Sequence, residues 1–265
     1  MKEDGRNMSS FLKQKAMAAF QDYIRRYDTK DGKVVLKIVH TYNVASIAEM
    51  LAEKLGWQEE DIQLAWLIGL LHDIGRFEQI RRYGTFMDAK SENHALLSVR
   101  ELSKDSLLRQ FIETDTCDNL ILTAVINHNR LHPEVIEDAR IMKHVRLLRD
   151  ADKIDIFRVR ASDPLADICD ISEQQMEASF ISPPCFETFM RHECIRSQDR
   201  RTPADIWLGG IATVYDLNYA CAMEETLRQG NIRKMVSRFA FQDQRMEQAA
   251  EEAQAWLKRR MNDER

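Results

Sequence analysis

Six side chains that could bind a metal share one pattern, because each falls in or at the end of a predicted helix with an apolar face. They are His40, His72, Asp73, His94, His128 and Asp152. Burying such groups without partners would cost roughly 1 to 3 kcal/mol for each unsatisfied polar group, and more for the carboxylates. A divalent metal would satisfy them jointly, and imidazole and carboxylate suit Mn, Fe, Co, Ni or Zn. The pattern therefore predicts a divalent transition-metal site.

The elements that must position these residues are predicted to be helices. Glycine and proline are scarce, at 9 and 5 residues of 265, and 44% of the chain is hydrophobic. Apolar residues recur at three- and four-residue steps, as in amphipathic helices. The run "LAWLIGLL" is apolar nearly all round and ends at His72 and Asp73, which indicates a buried helix. We predict an all-α fold with helices over 9–27, 33–56, 58–73, 91–103, 117–130 and 137–159.

The C-terminal third has a weaker pattern at first and then two long helical stretches. Between about 161 and 184 the periodicity fades, whereas 203–229 and 232–260 each read as one helix, the first with Thr202 as its N-cap. No low-complexity linker separates this third from the rest. We predict a metal-binding helical domain over 1–165 and a helical extension over 166–265 that packs on the same core.

Charge and composition narrow the classes of partner. A net charge of −5 gives no basic surface for a polynucleotide, and no run reaches the roughly 20 apolar residues that a membrane span needs. The N-terminus has no apolar stretch of a signal peptide. The five cysteines form no CxxC pair, and Cys185, His192 and Cys194 lack a fourth ligand for a zinc knuckle. We expect a cytoplasmic protein that acts on a small molecule and could form a homodimer.

Two segments resemble a known family. "LLHDIGR" and "RDADKIDIF", together with His40, resemble the HD superfamily of metal-dependent phosphohydrolases over about residues 33–159. The resemblance implies an HD-domain helical bundle in which His40, His72 and Asp152 bind one ion and Asp73 bridges to a second. It implies that the site holds one or two metals: His94 and His128 bind the second ion where there are two, and contact substrate where there is one.

The same resemblance implies hydrolysis of a phosphate ester, most naturally of a nucleotide phosphomonoester or phosphodiester, by metal-activated water. Two alternatives stay open at this point. Some proteins with this fold and ligand set are mixed-valent di-iron oxygenases, and a non-catalytic module could sense a nucleotide through the same pocket.

Further candidates come from proximity to the motif. Asp73, Arg76 and Lys153 are assigned catalytic roles, and Arg76 is favoured as a phosphate-binding group, with a salt bridge to Glu78 or Asp155 as its alternative. Asp150 is either a partner that holds a ligand histidine or a solvated acid. His132, His144 and His192 are expected to be structural. The predicted loop "RRYGTFMDAK" could close over substrate, with Tyr83 or Phe86 stacking on a base. The candidates for substrate binding are Arg76, Arg81, Arg82 and Lys90, followed by Arg158.

Overall fold

A computed structural model describes the backbone of residues 2–263 and the side chains of residues 13–263. Every regular element in that range is helical, which confirms the all-α class. The chain divides into two compact units, 1–149 and 150–265. This division falls inside one helix, Ala139–Ser162, whereas the sequence pattern placed it at 165, just after that helix. The sequence pattern detects a boundary only where helical periodicity fades. A boundary inside a helix is not detected, because the periodicity continues across it.

The first unit is a bundle that surrounds the central helix pair α2 and α3. Helix α2 packs along α3 and against α4, and α5 packs against both α4 and α7. Fully buried side chains such as Phe20, Leu51, Ile68 and Phe77 fill its core. Its helices are α1 (Lys2–Ile24), α2 (Gly32–Lys54), α3 (Glu59–Leu71), α4 (Ile74–Tyr83), α5 (His94–Ser103), α6 (Leu107–Phe111), α7 (Asp118–Asn127) and the first part of α8 (Ala139–Ser162).

Two glycines allow the helices that carry the candidate ligands to approach closely. A Cβ atom at Gly69 of α3 would lie 2.7 Å from the Cα of Ala45 on α2. A Cβ atom at Gly75 of α4 would lie 2.4 Å from the backbone nitrogen of Ser98 on α5. The Gly75 amide also donates to the Ser98 hydroxyl at 3.0 Å. Side chains at either position would force these helix pairs apart.

The segment after Asp73 differs from its predicted form. Helix α4 begins at Ile74 and continues to Tyr83, so Arg81 and Arg82 are helical and not part of a loop. Both pair with Glu78 one turn earlier, and Gly84 then ends the helix with a left-handed φ of 64°. The loop therefore begins and ends three residues later than expected and runs over residues 84–93, which we call loop 84–93. Asn93, not Ser91, caps α5, because its side chain accepts from the Leu96 amide.

Helix α2 is long and apolar enough to cross a membrane by length and composition alone. The core helix of a soluble protein passes the same test, and α2 packs along α3 in this unit.

The second unit contains shorter helices than the sequence predicts. After the rest of α8 it has α9 (Leu165–Ile168), α10 (Glu173–Glu177), α11 (Pro183–Met190), α12 (Pro203–Ile211), α13 (Ala220–Gln229), α14 (Asn231–Ser237) and α15 (Arg245–Asp263). Thr202 caps α12 as predicted.

Buried carboxylates account for the breaks in the two predicted long helices. The Asp150 carboxylate accepts the backbone amides of Asn218 and Tyr219, which fixes extended backbone before α13. Asp243 accepts the amide of Ile181 and holds the chain before α15. Such contacts are distant in sequence, so helical periodicity does not reveal them.

We predict that Gly75→Ala destabilises the protein. Its methyl group would meet the α5 backbone, and overpacking of this kind typically costs about 1–3 kcal/mol. Urea unfolding followed by circular dichroism measures the change. Ser98→Ala is the control, because it removes the hydroxyl that accepts from Gly75 but keeps the helix spacing. An alanine at 75 that is as stable as glycine would contradict the close-approach argument.

An ion cluster around the buried Asp61 holds the start of α3 to α8 within the first unit. Asp61 accepts from Lys143 at 2.6 Å, from Arg140 at 2.8 Å and from the His144 Nε2 at 3.1 Å. Burial opposes ionisation of Asp61, but these three partners lower its pKa below the ordinary value. Burial lowers the pKa of His144 to about 4, so this ring is neutral at pH 7. The structural role expected for His144 is thus confirmed.

We predict that His144 makes stability depend on pH. Because its pKa is lower in the folded chain, protons bind the unfolded chain more tightly, and stability that is present above about pH 6.5 is lost as pH falls toward 4. The loss should be on the order of 2 kcal/mol between pH 7 and pH 5. Urea unfolding of wild type and His144→Gln in EDTA isolates this term by difference. The same pH slope in both proteins would refute the assignment.

Candidate metal centre

Five of the predicted ligands come together in the first unit, and all five are buried. His40 lies on α2, His72 follows the last residue of α3, and Asp73 is next to it. His94 opens α5 and His128 follows the last residue of α7. Four helices thus each deliver a histidine to the carboxylate between α3 and α4. Within the part of the chain that the structure describes, these residues form two possible metal-binding groups, His40–His72–Asp73 and Asp73–His94–His128.

The two oxygens of Asp73 face different histidine pairs. Oδ2 lies 3.7 Å from the His40 Nε2 and 3.5 Å from the His72 Nε2. Oδ1 lies 3.7 Å from the His94 Nε2 and 3.6 Å from the His128 Nε2. Ligands bound to one ion at about 2.0–2.2 Å lie roughly 3–3.5 Å apart, so small shifts would complete either group. Asp73 therefore has the position of a bridging carboxylate.

Three of the rings are held so that Nε2 faces the centre. The His72 Nδ1 lies 2.7 Å from the carbonyl oxygen of Gly69, and the His128 Nδ1 lies 2.6 Å from that of Val125. The His94 Nδ1 lies 2.7 Å from the Asp88 carboxylate. Carbonyl and carboxylate oxygens only accept, so Nδ1 carries the proton in each ring and Nε2 is left with a lone pair. This is the tautomer that coordinates a metal.

The centre fits a cation because its acceptor atoms face each other. The Nε2 atoms of His94 and His128 are only 3.1 Å apart, and with both protons on Nδ1 neither can donate to the other. Among the described residues, the buried Asp73 Oδ1 receives no hydrogen bond within 3.5 Å. Two lone pairs and a carboxylate oxygen converge where only positive charge would stabilise them. A divalent metal is the group that this donor set fits.

The charge states agree with coordination. Burial opposes ionisation of Asp73, but positive charge nearby, first that of the Lys37 ammonium and also that of Arg76, keeps its pKa well below the ordinary value. Burial and the nearby Arg76 lower the pKa of His94 to about 4, although Asp88 opposes this shift. At neutral pH the site therefore offers an ionised carboxylate and a neutral imidazole, which are the forms that bind metals.

Two cations flank Asp73 on the side of loop 84–93. The Lys37 Nζ lies 2.6 Å from Oδ2, and the Arg76 Nε lies 3.7 Å from Oδ1. Both approach the ring of Phe86, at 5.4 Å and 5.5 Å from its centroid. Sequence reasoning missed Lys37, although it precedes His40 by three residues and so shares its helix face.

The residues that form this centre lie in a stretch that matches a known family. Residues 38–156 match the HD domain family. The chain carries an HD domain. This confirms the family that "LLHDIGR" and "RDADKIDIF" resemble. A search of curated proteins and a search of solved structures found no match to the chain. Proteins with an HD domain are generally metal-dependent hydrolases, and the His/Asp cluster is compatible with a divalent metal.

Arg76 has partners other than the two predicted acids. Its Nη1 donates to the Gln79 side chain at 2.6 Å, to the Phe86 carbonyl oxygen at 2.7 Å and to Asp88 at 3.1 Å. Glu78 instead pairs with Arg81 and Arg82, and Asp155 pairs with Arg158. Arg76 therefore forms a salt bridge with an acid, Asp88, other than the two given as examples. Arg76 joins α4 to loop 84–93 beside the HD centre.

Arg149 supports the backbone around His128, and the sequence pattern did not identify it either. This buried guanidinium donates to the carbonyl oxygens of Asn127, His128 and Arg130, at 2.9, 3.1 and 2.6 Å. It thereby holds the end of α7, where His128 projects. The available signal was its position four residues after Val145, where an apolar residue would continue the buried stripe.

Three other residues predicted to bind substrate have no described contact with the five clustered ligands. Arg81 and Arg82 pair with Glu78, and Arg82 also approaches Glu92 and Glu101. Lys90 is exposed on a short 3₁₀ turn within loop 84–93. Their assignment to substrate stays a prediction.

The remaining candidates lie on the part of α8 that belongs to the second unit. Lys153 pairs with Asp216 at 2.7 Å, and Arg158 pairs with Asp155 and Asp163. Asp150 is fully buried, so the interpretation as a solvated acid is wrong. Burial raises its pKa to about 6 despite the nearby Lys153 and its hydrogen bonds to Asn218 and Tyr219. The ligand role of Asp152 and the catalytic role of Lys153 stay predictions.

The histidines outside the motif have ordinary surroundings. His132 is exposed, and the His192 Nε2 lies 2.9 Å from Glu252. Cys185 donates to the Asp199 carbonyl oxygen and Cys194 to that of Ala212. Neither cysteine belongs to a possible metal group among the described residues.

We predict that the HD centre loses its metals stepwise when ligands are removed. Wild type should bind about two divalent ions, His128→Ala about one, and Asp73→Ala neither tightly, because Asp73 serves both groups. Metal analysis after gel filtration measures the ratio. His132→Ala is the control, since this nearby histidine is exposed. Full metal content in Asp73→Ala would contradict a shared carboxylate.

Proposed function

We propose that the protein is a metal-dependent phosphohydrolase that acts on a small-molecule phosphate ester, a nucleotide monoester or diester, with two divalent ions bound at Asp73. One observation carries this proposal. The two oxygens of a buried carboxylate face separate histidine pairs, and in one pair the Nε2 atoms are 3.1 Å apart with no proton between them. That arrangement fits two ions that share one bridging ligand.

The protein side chains have distinct tasks in this reaction. His40 and His72 would hold one ion, with Asp152 as the further ligand that the HD pattern assigns, and His94 and His128 would hold the other. Bound metals of this kind lower the pKa of water toward neutrality and neutralise charge on phosphoryl oxygens. Asp73 contributes a fixed negative charge that is already ionised, because its pKa lies well below the ordinary value.

Lys37 and Arg76 are the groups that we assign to the phosphate. Both are largely buried and lie beside Asp73, at 2.6 Å and 3.7 Å, so they reach the edge of the centre. Positive side chains of this kind bind phosphate oxygens through charge-assisted hydrogen bonds. Lys37 is paired with Asp73 Oδ2, the oxygen that faces the His40 and His72 ion position. We infer that Lys37 turns from Asp73 to substrate phosphate when that ion is bound.

Phe86 supports a nucleotide as substrate. The centroid of its ring lies 5.4 Å from the Lys37 ammonium and 5.5 Å from the Arg76 guanidinium, so an aromatic side chain is placed next to the two groups that we assign to the phosphate. A nucleotide offers the matching pair of features, since its base stacks on aromatic rings and its phosphate pairs with cations.

Metal-dependent hydrolysis tests the proposal. The protein is stripped with EDTA and reloaded separately with Mn²⁺, Co²⁺, Ni²⁺, Zn²⁺ and, without oxygen, Fe²⁺. Each form is assayed for phosphate release from nucleoside monophosphates, cyclic nucleotides and nitrophenyl mono- and diesters. Asp73→Ala should lose both metal and hydrolysis, whereas His132→Ala should keep both.

The alternatives give different results in the same experiment. Loading with two irons, a mixed-valent EPR signal and oxygen uptake without phosphate release would support the di-iron oxygenase. Tight nucleotide binding without turnover in every metal form would support the sensing module. Either result, or hydrolysis by Asp73→Ala at the wild-type rate, would overturn the phosphohydrolase.

We predict that Lys37→Met weakens substrate binding more than it slows turnover. Loss of a charge-assisted bond worth about 1.5–3 kcal/mol should raise KM roughly 10- to 100-fold. Steady-state kinetics with the best substrate measures KM and kcat separately. Lys30→Met, at an exposed lysine just before α2, should leave both unchanged. An unaltered KM in Lys37→Met would exclude Lys37 from the phosphate subsite.

A further inference from the structure

Asp88 connects the second ligand pair to loop 84–93. One of its oxygens, Oδ2, accepts from the His94 Nδ1 at 2.7 Å. The other, Oδ1, accepts from the Arg76 Nη1 at 3.1 Å and from the Gln79 Nε2 at 3.0 Å. One carboxylate in the loop therefore contacts both α4, which follows Asp73, and the first residue of α5.

His94 differs from the two other rings whose support the structure describes. Carbonyl oxygens one turn earlier, at Gly69 and Val125, hold the Nδ1 of His72 and His128. Those two rings are thus oriented by the helix that carries them. The nearest group to the His94 Nδ1 is instead a loop side chain six residues away, at 2.7 Å, and the Asn129 amide nitrogen lies farther off at 3.3 Å. The direction of the His94 Nε2 therefore depends on where the loop lies.

The loop is attached to α4 mainly by polar contacts. Arg76 donates to the Phe86 carbonyl oxygen at 2.7 Å. The fully buried Gln79 donates to the Ser91 hydroxyl at 2.8 Å and to the Glu92 carbonyl oxygen at 3.0 Å. Met87 and Lys90 are exposed, so little apolar surface of the loop holds it in place. Segments attached in this way open at lower free energy than the packed core.

We propose that Asp88 is a positioning residue that links the placement of loop 84–93 to binding of the metal ion held by His94 and His128. A loop in its present position sets the His94 ring for the ion, and the bound ion holds Asp88, and with it the loop, in place. The coupling acts equally in both directions, as any binding linkage must. Because Phe86 lies in the same loop, the second ion would also fix this side of the substrate site.

The inference rests on the proposed metal centre but not on any particular reaction. It requires two ion sites whose metal affinities depend on the loop to different degrees. The site at His40 and His72 should bind without regard to Asp88, whereas the site at His94 and His128 should need it.

Titration of metal-free protein with Co²⁺ tests this linkage. Visible absorption and calorimetry should resolve about two binding events in wild type, and Asp88→Asn should weaken one of them about 10- to 100-fold, the usual effect of losing a partner of a ligand histidine. The other event should keep its affinity. Asparagine preserves the size of the side chain, so the fold should be retained. Glu92→Gln is the matched control, because this carboxylate lies in the same loop and pairs with Arg100, away from His94.

Hydrogen exchange of loop 84–93 gives the reciprocal measurement. In wild type its amides should become more protected as the weaker site fills, whereas in Asp88→Asn protection should stay at the metal-free level when only the stronger site is filled. Equal affinities for both ions in Asp88→Asn, loss of both events together, a single event in wild type, or a loop indifferent to metal would each overturn the linkage. Two intact events and a responsive loop without phosphate hydrolysis would instead overturn only the phosphohydrolase.

Discussion

The Asp73 carboxylate is ionised inside the protein, so the structure around it has to supply positive charge or coordination. An unpaired buried carboxylate would be strongly destabilising. Lys37 and Arg76 compensate part of this charge, and Lys37 is the nearer at 2.6 Å. Neutral His72, His94 and His128 cannot do so, since their Nε2 atoms present lone pairs toward the same carboxylate. Their arrangement is favourable only with cations among them, which is why we interpret the buried polar cluster as a metal centre and not as an ordinary hydrogen-bond network.

The bundle can build this centre because its helices meet at small residues. Gly69 brings α2 against α3, which brings His40 near His72, and Gly75 brings α4 against α5, which brings His94 near Asp73. Four of the five ligands, all except His40, also lie at helix ends. There the chain turns, so adjacent or nearby side chains can converge on one point, whereas side chains inside one helix diverge by about 100° per residue. The glycines bring the helices close together, and the helix ends let side chains from those helices converge. Both features thus bring the ligand atoms near one another.

Much of the fold and of the metal centre could be predicted from the sequence. The features that could not be predicted have one cause in common. Helical periodicity located most helices of the first unit, and the motif spacing named His40, His72, Asp73, His94 and His128 correctly as neighbours. Periodicity is a local signal, however. Asp150 accepts hydrogen bonds from Asn218 and Tyr219, which lie 68 and 69 residues further along the chain. These contacts interrupt the region that the pattern predicts as one continuous helix. The partner of Arg76 was missed in the same way, because the path of loop 84–93 decides it. Lys37 was overlooked although its spacing from His40 was informative.

The support of the ligand rings divides the centre into two unlike halves. His72 takes its orientation from its own helix turn, and its neighbour His40 lies within α2, the helix that packs along α3. This half is built on rigid elements and is preorganised for an ion. In the other half His128 is held by its own turn, and Arg149 holds the end of that helix, but His94 depends on Asp88 in a loop. A ligand that depends on a loop side chain costs binding free energy whenever the loop has to be ordered. The ion positions should therefore differ in affinity even though their ligand atoms are chemically alike, and the weaker one is the position next to the loop that carries Phe86.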